Sequence, residues 1–479
     1  MRLKGFANGA YRSQSLIAAG EKCINLFPER VPSGNKTQMM LVPAPGMSEF
    51  ATLPKAPGRG IFCERGRLFA VGGNALYEID STGATVTARG DLVVDANPVT
   101  ISTNGDGGEE LLVTSGGRGD ILALDTNTFF PGEVNDITFA GQLDGFFAGL
   151  HVDAAAQTST MKISESFDGQ TWDGTQIAQR TAASDPWQAM IIVKREIFLF
   201  GEKTGEVWFN ARRSPFPFAQ RSGAFFEVGI VAPFSLHKFG GSMAWLGRDE
   251  AGTGAVYWMN GYTPEEISTA ALRWEISQYE EAGRIDDAIG WGYEREKHRF
   301  YVLKFPSAGR TWVYDAETNL WHERGFWSSD AQDFLNYRPQ LHAVAFGRNL
   351  VCDSDSGKIY SLSSTVYRDV DDEELRRVRR SPHLSNENKR LFFPYFELEC
   401  DRGVGLLEGQ GSDPQVGLRY SNDGGSTWGE TRFRSLGARG QTGTRVRWDM
   451  CGSGRDRVWE LWSSDPVATR WHDAYVGAR

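Results

Sequence analysis

From Gly60 to Leu362 the chain repeats one short grammar of strand, tight turn, strand, turn and strand, at intervals of about 40–55 residues. The first unit contains Gly60-Ile61-Phe62, then Gly66 to Gly73, then Ala75 to Asp80. Later units run through Val99 to Asp125, Ile137 to Ser164, Met190 to Phe209, His237 to Met259, Ala288 to Asp315 and Ala343 to Leu362. Each is a set of β-branched or aromatic runs separated by Gly, Asn or Asp. A small sheet with two apolar faces is unstable alone, whereas a radial stack of such sheets buries both faces. The pattern therefore predicts a mainly β chain built on a β-propeller of six or seven blades. A long solenoid fits less well because the period drifts by about 15 residues, and an open sandwich because the units are too many. The 55 Gly and 58 aromatic residues (15 Trp, 14 Tyr, 29 Phe) also suit short strands and tight turns better than helix bundles.

Residues 1–56 stand outside the repeat and read as an N-terminal extended arm, with the propeller over 57–365. Prolines 28, 32, 43 and 45 exclude a helix and favour extended segments joined by fixed bends. The arm is expected to run into the ring of sheets and help to close it. Residues 366–390 break the pattern: Asp369 to Glu374 (DVDDEE) leads into Leu375 to Arg380 (LRRVRR) and Ser381-Pro382. Acids first and arginines last predict a linker with one short helix aligned with its dipole and stopped by proline. From Leu391 to the end, alternating runs such as Phe396 to Cys400, Val416 to Ser421, Arg445 to Asp449 and Val458 to Trp462 predict a C-terminal antiparallel β-sandwich or barrel over 391–479.

Charge and cysteine content narrow the function. The net charge is −10, and residues 367–479 hold 18 Lys/Arg against 18 Asp/Glu, so the first 366 residues carry all of it. An acidic body disfavours tight binding along nucleic acid but suits a wall past which DNA slides. The five cysteines (23, 63, 352, 400, 451) are far apart and odd in number, which gives neither a disulfide framework nor a zinc site. They are expected to be buried. The N-terminus lacks the apolar run of a signal peptide, and no stretch is long and apolar enough for a membrane span.

The sharpest local motif is Ser421-Asn422-Asp423-Gly424-Gly425-Ser426-Thr427-Trp428, an Asp-box pattern in which Ser421, Asp423, Gly425, Thr427 and Trp428 are the defining positions. Its Asp is expected to accept backbone N–H groups, its Gly to supply positive φ and its Trp to pack under the loop. Ser166 to Trp172 is a shortened copy. Such boxes occur in sialidases, where they are folding devices remote from catalysis. Arginines abound, but no spacing singles out three for a substrate carboxylate, and the paired acids Asp286-Asp287 and Glu265-Glu266 have neighbours with no acid/base logic. Gly240-Gly241-Ser242-Met243-Ala244 resembles a nucleophile elbow faintly, with Ala in place of the second Gly, and there is no metal-ligand spacing or phosphate loop. Asp353 to Gly357 imitates half a calcium loop but lacks its bidentate Glu. The expectation is a protein without catalytic residues, metal or cofactor.

Three features together resemble one family. Asn25-Leu26-Phe27-Pro28-Glu29 followed by Pro43-Ala44-Pro45-Gly46, the propeller-like middle, and the alternating C-terminal strands around the Asp-box are similar to the tail-hub proteins of short-tailed bacteriophages, also called tail-nozzle or packaged-DNA stabilisation proteins. Where the family commonly has Tyr and Thr-Pro-Gly, this chain has Phe27 and Ala44-Pro45-Gly46. The resemblance implies a structural virion protein in a hexameric tail ring, assembled in the host cytoplasm. The ring would bind the portal and head-closure adaptor, meet other tail components such as a spike or needle, and extend the channel. Duplex DNA would be retained until ejection and then pass without sequence-specific binding. The alternative is a glycan-binding or sialidase-like propeller acting on host surface sugars.

Overall fold

The computed structural model describes residues 1–478 apart from 154, 181, 182, 249–251 and 253. Seven antiparallel sheets form a ring, so the propeller has seven blades. Blade 1 contains Gly58–Glu64, Arg67–Gly72, Ala75–Ile79 and Val86–Asp91. Blades 2 to 5 begin their four-strand meanders at Thr100–Thr103, Phe139–Leu143, Trp187–Val193 and, through a split first strand, Gly229–Ile230 with His237–Phe239. Blade 6 runs from Ile289–Arg295 to Leu320–Arg324, and blade 7 contains Pro339–Ala345, Arg348–Asp353 and Lys358–Ser363. The first strand of every blade lies at the axis.

Each repeat folds as a blade because its middle strands are apolar on both faces. Phe69, Val71, Leu111, Val113 and Leu122 fill the space between blades 1 and 2, and Leu112, Ile121, Ile137 and Phe147 that between blades 2 and 3. Fully burying each such side chain is worth roughly 1.5–3 kcal/mol.

The fourth strand of blade 7 comes from the arm. Gly46–Thr52 pairs with Lys358–Ser363, setting Met47 opposite Leu362 and Ala51 opposite Ile359. Phe50, Ala51 and Leu53 then pack with Ile61 and Leu68 of blade 1, which closes the ring.

The arm also completes the sandwich. One sheet orders Leu26–Arg30, Met39–Pro43, Trp471–Val476, Tyr395–Cys400 and Val446–Asp449. The other orders Gly20–Ile24, Arg377–Arg380, Asp456–Ser463, Gln415–Ser421 and Arg432–Ser435. Leu26, Leu41, Phe396, Trp448, Trp459, Leu461 and Trp471 are buried in the core that includes the space between them. The second sheet continues into blade 6, because Ile24 pairs in parallel with Glu323.

The short helix expected within 366–390 is replaced by a single 3-10 turn at Val370–Asp372, followed by the buried strand Arg377–Arg380. Charge order suits a helix dipole, but the sandwich offers a stronger interaction. Arg379 donates to the carbonyls of Gly5, Gly9 and Lys22 at 2.9, 2.9 and 3.2 Å, and Arg377 donates to Val467 O at 2.9 Å. Arg380 donates to Glu460 at 2.8 Å. These arginines are therefore no surface patch for phosphate. The α-helix among the described residues is Ala270–Ala282, which Thr269 caps by accepting the Leu272 N–H at 3.2 Å. Four cysteines are buried and Cys63 is half-buried, all of them free thiols.

Candidate functional site

Three places could carry function: the propeller axis, the junction that the arm makes, and the Asp-box turns. The axis holds a cavity of about 470 Å³ walled by the inner strands, with Ile61, Ile101, Phe139, Ile191 and Trp291 among its lining. Its two histidines favour the neutral form. Burial pulls His237 down to about 4, and it also lowers His342, whose Nε2 lies 2.9 Å from Asn349 Oδ1. The space matches a small ligand. It does not match a duplex, whose major groove alone is about 12 Å wide.

One mouth of the axis is ringed by the turns between first and second strands. Six of them are two-residue hairpins with both central residues at positive φ: Arg65-Gly66, Asp144-Gly145, Lys194-Arg195, Gly240-Gly241, Glu296-Lys297 and Phe346-Gly347. Blade 2 has a longer loop here, between Thr103 and Glu110. The Gly240-Gly241 turn is the stretch that faintly suggested a nucleophile elbow, and it joins two strands.

At the junction, the Asn25 side chain occupies a fully buried site with φ +54, a region that Asn tolerates better than most residues. Its Nδ2 donates to Gly325 O at 2.8 Å and Arg376 O at 2.9 Å, and its Oδ1 accepts the Gly325 N–H at 3.2 Å. Its own N–H donates to Glu323 O, and its carbonyl accepts the Ala44 N–H, both at 3.0 Å. Phe27 packs on His298, Phe300 and His322. The Asn-Leu-Phe-Pro-Glu stretch is thus a joint between arm, blade 6 and sandwich. Beside it, the Arg376 guanidinium lies 3.7 Å from the ring centroids of both Trp327 and Trp462.

In the C-terminal box Asp423 accepts the Thr427 N–H at 2.9 Å and its hydroxyl at 2.6 Å, and Ser421 donates to it at 2.6 Å. These bonds hold the Asp423 carboxyl well below its usual range. Ser421 Oγ accepts the Gly425 N–H at 2.8 Å, Gly425 takes φ +97, and Trp428 Nε1 donates back to Gly425 O at 2.9 Å. Arg380 and Arg419 stack on Trp428. The copy in blade 3 has the same plan: Asp168 accepts the Gln170 and Thr171 N–H groups, and Trp172 Nε1 donates to Gly169 O at 2.7 Å. Buried Glu110 of blade 2 accepts from Gly169 N and from Gln170 Nε2 at 2.8 Å, tying that loop to the neighbouring blade. Sequence reading missed Glu110, which carries no local signal.

The remaining candidates are dispersed. Asp353 of the calcium-like loop is paired with Arg338 and receives the Asp355 N–H. Asp286 pairs with Arg284, Asp287 accepts from Ser307, Glu265 from Asn260, and Glu266 pairs with Arg273. Among the described residues no cluster of His, Cys, Asp and Glu could hold a metal ion, and no helix is long and apolar enough to cross a membrane.

The architecture is a seven-bladed propeller whose N-terminal arm also supplies strands to a fused β-sandwich, and sequence comparison names the family that has it. The chain belongs to the bacteriophage P22 Gp10 family: the model of its β-propeller matches residues 6–367 and that of its β-sandwich matches 376–478. It is a virion tail component of the kind that stabilises packaged DNA. No curated protein sequence matches significantly. Solved structures give only distant likeness. A chain in an S. cerevisiae complex of Dbp5 with Nup159 and Gle1 is 10% identical, with TM-score 0.38 over 72% of this chain and 100% of that one. The extracellular domain of a putative hybrid two-component system of B. thetaiotaomicron is 7% identical, with TM-score 0.44 over 78% of this chain and 45% of that one.

Proposed function

We propose that the chain is one protomer of a hexameric tail-hub or nozzle ring that lies below the portal and head-closure adaptor, extends the DNA channel and retains packaged DNA until ejection. The observation that carries this reading is the narrow axis of the propeller. A 470 Å³ cavity walled by the side chains of the inner strands is too small to give DNA a path through one protomer, so the path must run between copies. Head-to-tail interfaces that close on themselves give such rings. The net charge of −10 favours passage of phosphate over adhesion. Ser421, Asp423, Gly425, Thr427 and Trp428 act in this reading as a folding device, since their polar atoms are spent on one another. The protein works without turnover or cofactor, and spike or needle components attach beyond it.

Negative-stain microscopy and a mass measurement on the purified chain, alone and with a purified portal–adaptor complex, test the reading. Rings with a hole as wide as duplex DNA, in either sample, are the expected result. A monomer that ignores the portal–adaptor complex refutes it.

A further inference from the structure

The turns around the mouth of the propeller axis contain an anomaly. Paired positive φ values favour Gly, Asn or Asp, and four of the six two-residue turns have Gly in the second position. Blade 6 places Glu296 and Lys297 there, at φ +48 and +74, and blade 4 places Lys194 and Arg195, at φ +53 and +62, both exposed. Non-glycine residues in this region cost stability and persist where the position serves something else.

Lys194 and Arg195 stand over a cleft of about 620 Å³ between blades 3, 4, 5 and 6. Leu143, Ile192, Val193 and Phe239 line its apolar part, and Gln142, Ser242 and the open Gly240-Gly241 turn line its polar part. Arg195 is already paired with Asp144, which also accepts from Asn210 at 3.0 Å. Lys194 and Lys238 have no carboxylate partner within ion-pair distance among the described residues. Lys238 is exposed, yet partial loss of water around its amine lowers its pKa without an opposing charge. Glu294 is the one acid of the lining not engaged by a cation, and it offers an acceptor.

We infer that this cleft is a binding site for an acidic sugar, a hydroxylated ring bearing a carboxylate or a phosphate. Lys194 and Lys238 meet the anionic group, Gln142 and Glu294 meet hydroxyls, and Ile192 meets the apolar face of the ring. A small concave site with an apolar floor and a few converging polar groups is the usual form of such pockets. The inference is independent of ring assembly, since every residue belongs to one chain.

The test is calorimetric titration of the full chain with glucuronate, glucose 6-phosphate, glucose and inorganic phosphate. The double variant Lys194→Asn with Arg195→Gly installs the preferred hairpin turn while removing two charges, and Lys238→Met is a second, separate variant. Glucuronate and glucose 6-phosphate are expected to bind the wild-type chain, with affinity falling about tenfold or more in each variant. The double variant should melt at the same or a higher temperature. Absence of binding by both acidic sugars overturns the inference, as does unchanged affinity in folded variants. Inorganic phosphate or glucose binding as tightly as glucose 6-phosphate overturns it too, by showing a plain anion site or no anion preference.

Discussion

Asn25 and Gly325, 300 residues apart, exchange two hydrogen bonds: the Asn25 amide donates to the glycine carbonyl at 2.8 Å and accepts from its N–H at 3.2 Å. The same amide reaches Arg376 O, so one side chain satisfies backbone from blade 6 and from the sandwich. Asn25→Ala leaves three backbone groups unpaired and keeps a β-carbon at φ +54 without the side-chain amide that lets Asn tolerate that region. A loss of about 3 kcal/mol is expected in the denaturant midpoint. Asn25→Gly loses the bonds but suits the backbone, so its cost should be smaller by about 1 kcal/mol.

Arg376 between Trp327 and Trp462 links the hairpin Phe326–Ser328/Asp333–Leu335 to the sandwich. Arg376→Ala should weaken that contact by about 1–2 kcal/mol. Faster protease cleavage between residues 366 and 376, with the propeller otherwise resistant, is the readout.

Asp369 is buried, with one carboxylate oxygen bound to the Val370 N–H and the other without a partner. Burial, the largest influence, raises its pKa from 3.8 to about 7. The folded state therefore holds a proton that the unfolded chain releases at lower pH. Its contribution is full below about pH 4 and fades as pH rises to about 7. Asp369→Asn should flatten that slope and raise stability at pH 8 by roughly 2–4 kcal/mol, measured by urea unfolding across pH 4–8.

His322 shifts the other way. It is fully buried, both ring nitrogens lack partners, and it packs on Phe27 and Phe300. Burial first, then Arg324 and His298, pull its pKa well below 6.5. The unfolded chain takes a proton below about pH 6.5 that the folded state refuses, so stability falls as pH drops through that value. His322→Leu should lessen the acid-side loss of melting temperature, while wild type and variant stay parallel above pH 7.

The repeat was legible because the middle strands of the blades carry short apolar runs, as in Leu68 to Val71, Leu111 to Val113 and Ile197 to Phe200. The outer strands were not. Val86–Asp91 (VTARGD) and Thr263–Glu266 (TPEE) lie at the rim, where burial is slight and no pattern is imposed. Arg377–Arg380 misled because charge order along a chain does not reveal whether carbonyls wait to receive guanidinium groups. The Asp-box positions were readable from local spacing, whereas Glu110, His322 and the cleft under Lys194 arise only when distant strands meet. Pro28 and Pro43 fitted extended arm strands, but which sheets those strands would join lay in residues hundreds of positions away.

The pairing of Gly46–Thr52 with Lys358–Ser363 also sets an order of events during synthesis. A ribosome releases the closing strand early, yet its partner appears some 300 residues later, at roughly 5–20 residues per second. The partners of Gly20–Ile24 and Met39–Pro43 in the sandwich arrive later still, the last being Trp471. The propeller ring can close only once Ser363 has emerged and the sandwich only once Trp471–Val476 has, so a nascent chain that stalls between the two offers a ring without its sandwich to the growing tail. Emergence of that last strand is itself a checkpoint for assembly.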